Sequence, residues 1–410
     1  MADTPGLPPL PGHRLHLLEG SAQYFAALEA ALDAARQAVW LETYIFDFTA
    51  SGMGVAEALL HAARRGLDVR LVVDGVGTGS LPADWQARFD DAGVQWRVYS
   101  PVGTLGLLLP RQWRRLHRKL CLVDGHTAFC GGINILDDYH DPNHGALEAP
   151  RFDFAVAVQG PLVAEVRHTM AQLWQRLQGM RDIRQRDFIG ALRSFRHGGA
   201  HAETATGDQA GMVAGNARAA LLLRDNLRNR TRIEKAYRRA IAHAHTEIII
   251  ANAYFVPGGK LRKALSLAAR RGVRVQLLLQ GKYEYFMQYY AARPVYGALL
   301  KSGVEIHEYA ASFLHAKVAV IDGETLRPWA TVGSSNLDPL SLLLAREANV
   351  AVEDPAFAAL LRTRLVAAMA QGGHRIDAAQ YANRPLLQRI KERLAWMVMG
   401  VALFVQGKRY

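Results

Sequence analysis

The chain contains two copies of one pattern, and this duplication limits the folds that it can adopt. The motif His-x-Lys, followed by Asp-Gly, occupies residues 117–125 and recurs at residues 315–323, which is 198 residues further along. Each copy continues to a second signature, Gly-Gly-Ile-Asn at residues 131–134 and Gly-Ser-Ser-Asn at residues 333–336. A constellation of His, Lys and Asn that occurs twice predicts one active site assembled from two similar halves.

The repeat extends upstream of the motifs. Residues 62–71 match residues 268–277, and each segment has the pattern of a helix end, a glycine that terminates the helix, and a buried strand. Helices and strands alternate in both copies, which predicts an α/β fold whose sheet is covered on both faces. We therefore expect two tandem α/β/α domains, related by a pseudo-twofold axis, with one shared active site.

Changes in composition indicate the domain boundaries. Residues 181–215 are first basic and then rich in Gly, Ala, Thr and His, so we interpret them as a linker. The N-terminal domain is predicted at residues 1–180 and the C-terminal domain at residues 216–372. A basic and apolar tail follows at residues 373–410, and we expect it to associate with a membrane surface.

The charge of the chain indicates an anionic partner. The 410 residues carry a net charge of +12, with a pI of about 9.8. Nucleic acid and an acidic membrane surface both fit this charge, and charge alone does not choose between them. No window reaches the roughly 20 apolar residues that cross a bilayer, so any membrane contact is expected to be peripheral. The N-terminus lacks the pattern of a signal peptide, so export is not expected.

The spacing of the motif places its His and Lys side by side. Side chains two positions apart on a strand face the same way, so His117 and Lys119 should project into one pocket, as should His315 and Lys317. Burying these potential cations is costly, and a bound phosphate would compensate that cost. The Asp-Gly pairs that follow are typical of hairpin turns, which favours a structural position for the two aspartates.

These residue types suit phosphoryl transfer. Lysine charge and asparagine amides can stabilise the non-bridging oxygens, while one histidine attacks phosphorus and the other protonates the leaving oxygen. An attacking imidazole must be neutral and oriented, usually by a carboxylate, and Asp153 and Glu347 follow the two motifs at similar places. The alternative for these carboxylates is an ion pair with Arg151 or Arg346. No cluster with metal-ligand spacing accompanies the motifs, so we expect neither a metal nor another cofactor.

The duplicated pattern resembles the phospholipase D superfamily, whose signature is HxKxxxxDx6GSxN in two copies. The first copy fits this spacing but has Gly132 where the family often has Ser. The second copy has Ser334, but ten residues instead of six separate Asp322 from Gly333. The chain is most similar to bacterial cardiolipin synthases of the short type that lacks N-terminal transmembrane helices, and the similarity covers roughly residues 15–370.

The resemblance implies two phospholipase D-like domains and a reaction. A phosphatidyl group would pass from one phosphatidylglycerol to another, with release of glycerol, through a phosphohistidine on His117, and His315 would act as acid and base. The repeat is nearly symmetric, so the sequence alone also allows the two histidines to exchange these roles. The alternatives are a phospholipase D-type hydrolase, a metal-independent nuclease, or a binding protein that kept an inactive fold. The predicted catalytic residues are His117, Lys119, Asp124, His315, Lys317 and Asp322. Phosphate contacts are predicted for Asn134, Ser334 and Asn336, and histidine orientation for Asp153 and Glu347.

Three segments combine apolar or aromatic residues with flanking basic residues, as is typical of membrane interfaces: residues 103–115, residues 283–293 and the tail. They favour anionic phospholipid, such as phosphatidylglycerol, over nucleic acid as the partner. We therefore expect a peripheral enzyme on the cytoplasmic side of a bacterial cell membrane.

Overall fold

The structure is a computed structural model, and it describes residues 9–101, 103, 113–141, 144–184, 215–225, 229–282, 286–338, 345–385, 394 and 397. The first half contains β1 (Leu10–Glu19), α1 (Gly20–Ala34), β2 (Ala38–Thr43), α2 (Ala50–Arg64), β3 (Asp68–Asp74), α3 (Ala83–Ala92), β4 (Gln95–Tyr99), β5 (Arg115–Leu116), β6 (Lys119–Val123), β7 (Thr127–Gly131), β8 (His140–Asp141), β9 (Gly145–Ala146), β10 (Phe154–Gln159) and α4 (Leu162–Arg184). The second half contains β11 (Ala217–Arg224), α5 (Arg232–Ala242), β12 (Glu247–Asn252), α6 (Gly259–Arg270), β13 (Arg274–Gln280), α7 (Phe286–Leu300), β14 (Glu305–Tyr309), β15 (Lys317–Ile321), β16 (Trp329–Gly333), β17 (Ala345–Glu353), α8 (Pro355–Gly372), β18 (Gly373–Arg375) and α9 (Ala378–Ala382).

Within the described part of the chain, sixteen strands form one sheet. From its middle outward, the first half has the order β1, β10, β7, β6, β2, β3, β4, and the second half has the equivalent order β11, β17, β16, β15, β12, β13, β14. The halves meet where β1 pairs antiparallel with β11, at Leu10 with Ala219 and His13 with Ala217. The expected α/β architecture with two equivalent halves is confirmed, and the two sheets are joined into one.

The packing of helices on this sheet also joins the halves. On one face, α4 and α8 bury apolar side chains in a core that contains strands of both halves. On the other face, α1, α2 and α3 cover the first half, and α5, α6 and α7 cover the second half in a separate core. The strands are therefore buried on both faces, which explains their continuous apolar runs.

The repeated helix-to-strand segments have the predicted geometry. Gly66 follows α2 with a φ of 86°, and Gly272 follows α6 with a φ of 89°. This left-handed conformation suits glycine, so each helix stops at the C-cap residue before it, Arg65 or Arg271, and the chain turns directly into β3 or β13.

Two predicted boundaries need correction. The first domain extends beyond residue 180, because α4 continues to Arg184 and buries Asp182. The second domain extends beyond residue 372, because β18 pairs with β14 and the hydroxyl of Tyr381 on α9 donates to the carbonyl of Arg293. Tyr381 is 7% exposed and belongs to the core, so residues 373–382 are not part of a tail.

Most of the segments predicted to contact a membrane lie outside the described residues. This holds for residues 104–112, 283–285 and, apart from Leu394 and Met397, residues 386–410, and also for most of the predicted linker. Leu394 and Met397 are about half exposed, at 51% and 52%. In the part of the chain that is described, no helix has the length and apolar character needed to span a membrane.

Candidate active site

Each His-x-Lys motif is held against the opposite half of the molecule. β5 pairs in parallel with the start of β17, and the backbone N–H of His117 donates to the carbonyl of Arg346 at 3.1 Å. In the equivalent position, the N–H of His315 donates to the carbonyl of Phe152 at 2.9 Å. Backbone hydrogen bonds thus align each histidine with the residue that precedes the other half's predicted carboxylate.

The two histidines and the two carboxylates form crossed pairs. Nδ1 of His117 lies 3.1 Å from Oε1 of Glu347, and Nδ1 of His315 lies 2.6 Å from Oδ2 of Asp153. The neighbouring arginines bind elsewhere: Arg151 pairs with Asp141 at 2.7 Å, and Arg346 donates to the hydroxyl of Tyr99 at 3.3 Å. The alternative of simple ion pairs with adjacent arginines is therefore not what the side chains adopt.

Both motif lysines are buried between these pairs. Lys119 is 2% exposed and Lys317 is fully buried. Nζ of Lys119 donates to the carbonyl of His117 at 2.8 Å, and Nζ of Lys317 donates to the carbonyl of His315. Burial, together with the charge of Lys317, lowers the pKa of Lys119 to about 7. Two cations so close together make a site that favours an anion.

The same electrostatics act on the histidines. Burial lowers the pKa of His117, although Glu347 opposes the effect. Burial and the charges of the two lysines lower the pKa of His315 well below its usual value. Both imidazoles are consequently neutral near pH 7 in the empty site, which leaves Nε2 of each ring for chemistry because Nδ1 faces a carboxylate.

The two carboxylates differ in pKa. Burial raises the pKa of Asp153 to about 6, even though Lys317 and a backbone N–H oppose it. Burial acts to raise the pKa of Glu347 as well, but the combined effects of His117, Lys119 and the Ser334 hydroxyl outweigh it, so the pKa of Glu347 is lowered. The partner of His117 is thus the more firmly ionised of the two.

A difference at the second signature accompanies this asymmetry. The hydroxyl of Ser334, which the sequence predicts to be a phosphate contact, instead donates to Oε2 of Glu347 at 2.5 Å. Its equivalent is Gly132, where a Cβ would lie 2.4 Å from Oδ1 of Asp153. The serine supports one carboxylate, and the glycine makes room for the other.

The two asparagines end the second signatures of the two halves and so occupy equivalent positions. Oδ1 of Asn134 accepts from the backbone N–H of Ile45 at 3.1 Å, so its NH₂ group remains as a donor. Asn336 is 2% exposed, and within the described ranges its Oδ1 has no hydrogen-bond partner. A donor on a ligand would complete the hydrogen bonding of this group.

Asp124 and Asp322 lie at the far ends of β6 and β15, away from the lysines that begin these strands. Asp124 accepts from the backbone N–H groups of residues 36–38 at 2.8–3.0 Å. Asp322 accepts from the N–H groups of residues 245–247 and from the hydroxyl of Thr246. The predicted catalytic assignment of these two residues needs correction: their contacts make them turn residues, as the Asp-Gly pattern indicates.

Tyr44 is a site residue that motif spacing did not identify. Its ring centroid lies 4.9 Å from that of His117, and Nζ of Lys119 lies 5.4 Å from the same ring. Residues 39–46 resemble residues 249–255 of the other half, and this further part of the repeat is the sequence signal that could have indicated it. The described residues contain no group of three or more His, Cys, Asp or Glu side chains arranged to hold a metal ion.

The two similar halves share one sheet, and the histidine of each half pairs with a carboxylate of the other half. These features define the class: an enzyme of the phospholipase D superfamily. A family model described as "Cardiolipin synthase, PLD-like domain" matches residues 28–174 and 237–368. Cardiolipin synthase B of Escherichia coli (strain K12) is 36% identical over 385 residues, which are 94% of this chain and 87% of that protein. A probable cardiolipin synthase of Bacillus subtilis (strain 168) is 27% identical over 389 residues, which are 94% of this chain and 72% of that protein.

Among solved structures, the phosphatidylserine synthase of Haemophilus influenzae Rd KW20 has a similar fold. The TM-score is 0.67 at 14% identity, with 95% of this chain and 94% of that chain covered. The chain belongs to the cardiolipin synthase family of phospholipase D-like proteins. It is a phosphatidyltransferase of phospholipid biosynthesis.

Proposed function

We propose that this protein transfers a phosphatidyl group from one phosphatidylglycerol to the hydroxyl of a second, producing cardiolipin and glycerol. The observation that carries this proposal is the crossed arrangement of His117 with Glu347 and His315 with Asp153 around two buried lysines. A neutral, oriented imidazole can act as the nucleophile, and the second imidazole can act as the acid once it carries a proton, so the reaction needs no further group. The names of the related proteins support cardiolipin as the product.

The first step forms a covalent intermediate. Nε2 of His117 attacks phosphorus, the N–P bond forms, and the bond from phosphorus to the glycerol oxygen breaks. His315 gives its Nε2 proton to that oxygen, so glycerol leaves as a neutral alcohol. We assign the nucleophile to His117 because its partner Glu347 has the lowered pKa, and an ionised carboxylate best stabilises the imidazolium character that develops on attack.

Substrate binding prepares His315 for this role. The lysines that lower its pKa face a phosphodiester anion once the substrate is bound, and the anion offsets their charge. The pKa of His315 then rises toward the range in which it can carry a proton. Lys119, Lys317 and the NH₂ group of Asn134 stabilise the charge on the non-bridging oxygens.

The second step reverses the proton transfer. His315 accepts the hydroxyl proton of the incoming phosphatidylglycerol, the alkoxide oxygen attacks phosphorus, and the N–P bond breaks. The products are cardiolipin and free His117. The donor and acceptor are lipids and the chain carries a net charge of +12, so we place the protein peripherally at the cytoplasmic surface of an anionic membrane.

Mass spectrometry of the lipids after incubation of the pure protein with phosphatidylglycerol tests the proposal. We expect cardiolipin and glycerol in equal amounts, also in the presence of EDTA. Phosphatidic acid without cardiolipin would identify a hydrolase, and degradation of an oligonucleotide without lipid products would identify a nuclease. The double variant His117→Ala/His315→Ala is the control for contaminating activity.

A further inference from the structure

The two halves differ sharply in the charge of their outer helices. In the first half, α1 and α2 carry one basic residue and three acidic residues, a net charge of −2. The equivalent helices of the second half, α5 and α6, carry eight basic residues and one acidic residue, a net charge of +7. The fold is the same in both places, so it does not require this charge.

Five of the eight basic residues of the two helices are exposed. On α6, the spacing of Lys260, Lys263 and Arg270 places them on one face, and all three are exposed. On α5, Arg239 is exposed one turn after Lys235. No ion pair is recorded for Arg239, Lys260, Lys263 or Arg270 with any described residue, and Glu234 pairs instead with Arg238 at 3.8 Å.

The two basic helices begin at the catalytic end of the sheet. β11 ends at Arg224, which is in register with Glu347, and α5 follows. β12 ends at Asn252, which is in register with Lys317, and α6 follows. Both helices therefore start beside the active-site edge and run away from it, so the first lysines of α6 lie at the rim of the site.

An exposed leucine lies among the basic residues of α6. Leu267 is 44% exposed and is one turn from both Lys263 and Arg270. Exposed apolar side chains among lysines and arginines suit the boundary between anionic headgroups and acyl chains. Nucleic acid would bind the basic side chains through its phosphates, but an exposed leucine would contribute nothing to those contacts.

We propose that the outer face of α5 and α6 is the docking surface for an anionic lipid bilayer and holds the active-site edge of the second half beside the membrane. The choice of a bilayer as occupant rests on the lipid substrate proposed above. Its residues are different ones from those of the apolar segments predicted at residues 103–115, 283–293 and the tail.

The test compares two quadruple variants with the same net charge. The first carries Arg239→Gln, Lys260→Gln, Lys263→Gln and Arg270→Gln. The control carries Arg36→Gln, Arg64→Gln, Arg167→Gln and Arg176→Gln, all exposed positions on the first half. Binding is measured by co-sedimentation with vesicles of phosphatidylglycerol and phosphatidylcholine, at several salt concentrations, after thermal unfolding has shown both variants to be folded.

Each basic residue near an anionic surface contributes about a fivefold change in binding, so the first variant should bind more than ~100-fold more weakly, with a smaller salt dependence. The control variant should lose much less of its binding to the vesicles. Equal binding by the two variants would overturn the proposal, as would loss of binding to double-stranded DNA without loss of binding to vesicles. Cardiolipin synthesis in detergent should be unchanged in both variants, so failure of the wild type in that assay would refute the proposed function separately.

Discussion

The residue between the motif His and Lys differs between the two halves, and this difference separates what the fold requires from a feature that only one half has. In the first half, Arg118 donates to both oxygens of Glu42 at 2.6 and 3.1 Å, and both residues are nearly fully buried. The strand register makes Ala316 and Ala251 their equivalents in the second half. Both alanines are fully buried in the common core.

One fold thus accepts a buried ion pair or two methyl groups at the same place. A buried ion pair often adds no net stability over an apolar pair, but it leaves a costly charge when one partner is lost. Arg118 also donates to the carbonyl of Thr169 on α4, at 3.3 Å, which ties the motif strand to that helix. The second half achieves the same arrangement by close packing alone, so the catalytic geometry does not depend on the ion pair.

The largest expected effect on turnover comes from replacing either histidine. The two histidines occupy equivalent positions in the repeat, and the experiment distinguishes their roles. Both His117→Ala and His315→Ala should lower turnover by roughly four orders of magnitude or more, because each removes a group that acts at phosphorus. Rapid quenching with labelled lipid should trap a phosphoprotein in His315→Ala and none in His117→Ala. A label found on His315 would reverse the assigned roles, and a label on neither would indicate direct displacement by the acceptor.

The crossed carboxylates should give the next effect. Glu347→Gln and Asp153→Asn should each lower turnover by about two orders of magnitude or more, because the imidazole loses the group that fixes its tautomer. Glu347→Gln should be the more damaging, since the pKa of Glu347 is lowered while that of Asp153 is raised to about 6. The control is Glu353→Gln, at the opposite and more exposed end of β17. Near-normal turnover in either site variant would remove that carboxylate from the mechanism.

Breaking the buried ion pair should cause a large loss of stability, and a second substitution should recover part of that stability. Arg118→Ala leaves Glu42 buried without its partner and should lower the free energy of unfolding by about 3–5 kcal/mol. Adding Glu42→Ala recreates the alanine pair of the second half and should recover part of that loss. Denaturant unfolding measures both. If the double variant were less stable than Arg118→Ala, the comparison with Ala251 and Ala316 would fail.

The smallest effect concerns the hairpin aspartates, where the halves are most alike. Asp124→Asn and Asp322→Asn should each cost about 1–2 kcal/mol of stability and leave turnover on folded protein unchanged. Asp322 should matter more, because it also accepts from a threonine hydroxyl. Backbone donors, opposed by partial burial, lower the pKa of both carboxyls. Their stabilisation is therefore present above the unfolded-state pKa of about 3.9 and is lost as pH falls through the lower folded-state value.

Thermal unfolding of the wild type and the two variants between pH 2 and pH 7 measures this difference. The variants should approach the wild type in stability at the acid end of the range. A constant difference over the whole range would show that the carboxylate charge is irrelevant at these turns.

Much of this arrangement could be predicted from local sequence. The period of two predicted that His117 lies beside Lys119, although His117 lies just before β6, and the Asp-Gly signal placed Asp124 at a turn. The alternation of helices and strands predicted the class of fold, and the position after each motif indicated Asp153 and Glu347. In each case the physical cause lies within a few residues of the pattern.

The remaining features depend on contacts between distant parts of the chain. No local pattern specifies that His117 pairs with a carboxylate 230 positions away and not with the one in its own half. The strand at Leu10–Glu19 is a poor candidate by sequence because of its Pro-Gly start, yet it joins the two halves through β11. The motif predicts that Ser334 contacts phosphate. Its hydroxyl instead donates to Glu347, and this is visible only in the folded structure.

The crossed pairs also determine when during synthesis the protein can become active. His117 leaves the ribosome 230 residues ahead of Glu347, and Asp153 precedes His315 by 162 residues. At about 5–20 residues per second, the first histidine waits roughly 10–50 s for its carboxylate. A nascent or prematurely terminated chain that stops before residue 347 therefore lacks most of β17 and the carboxylate that faces His117, and we expect it to be inactive.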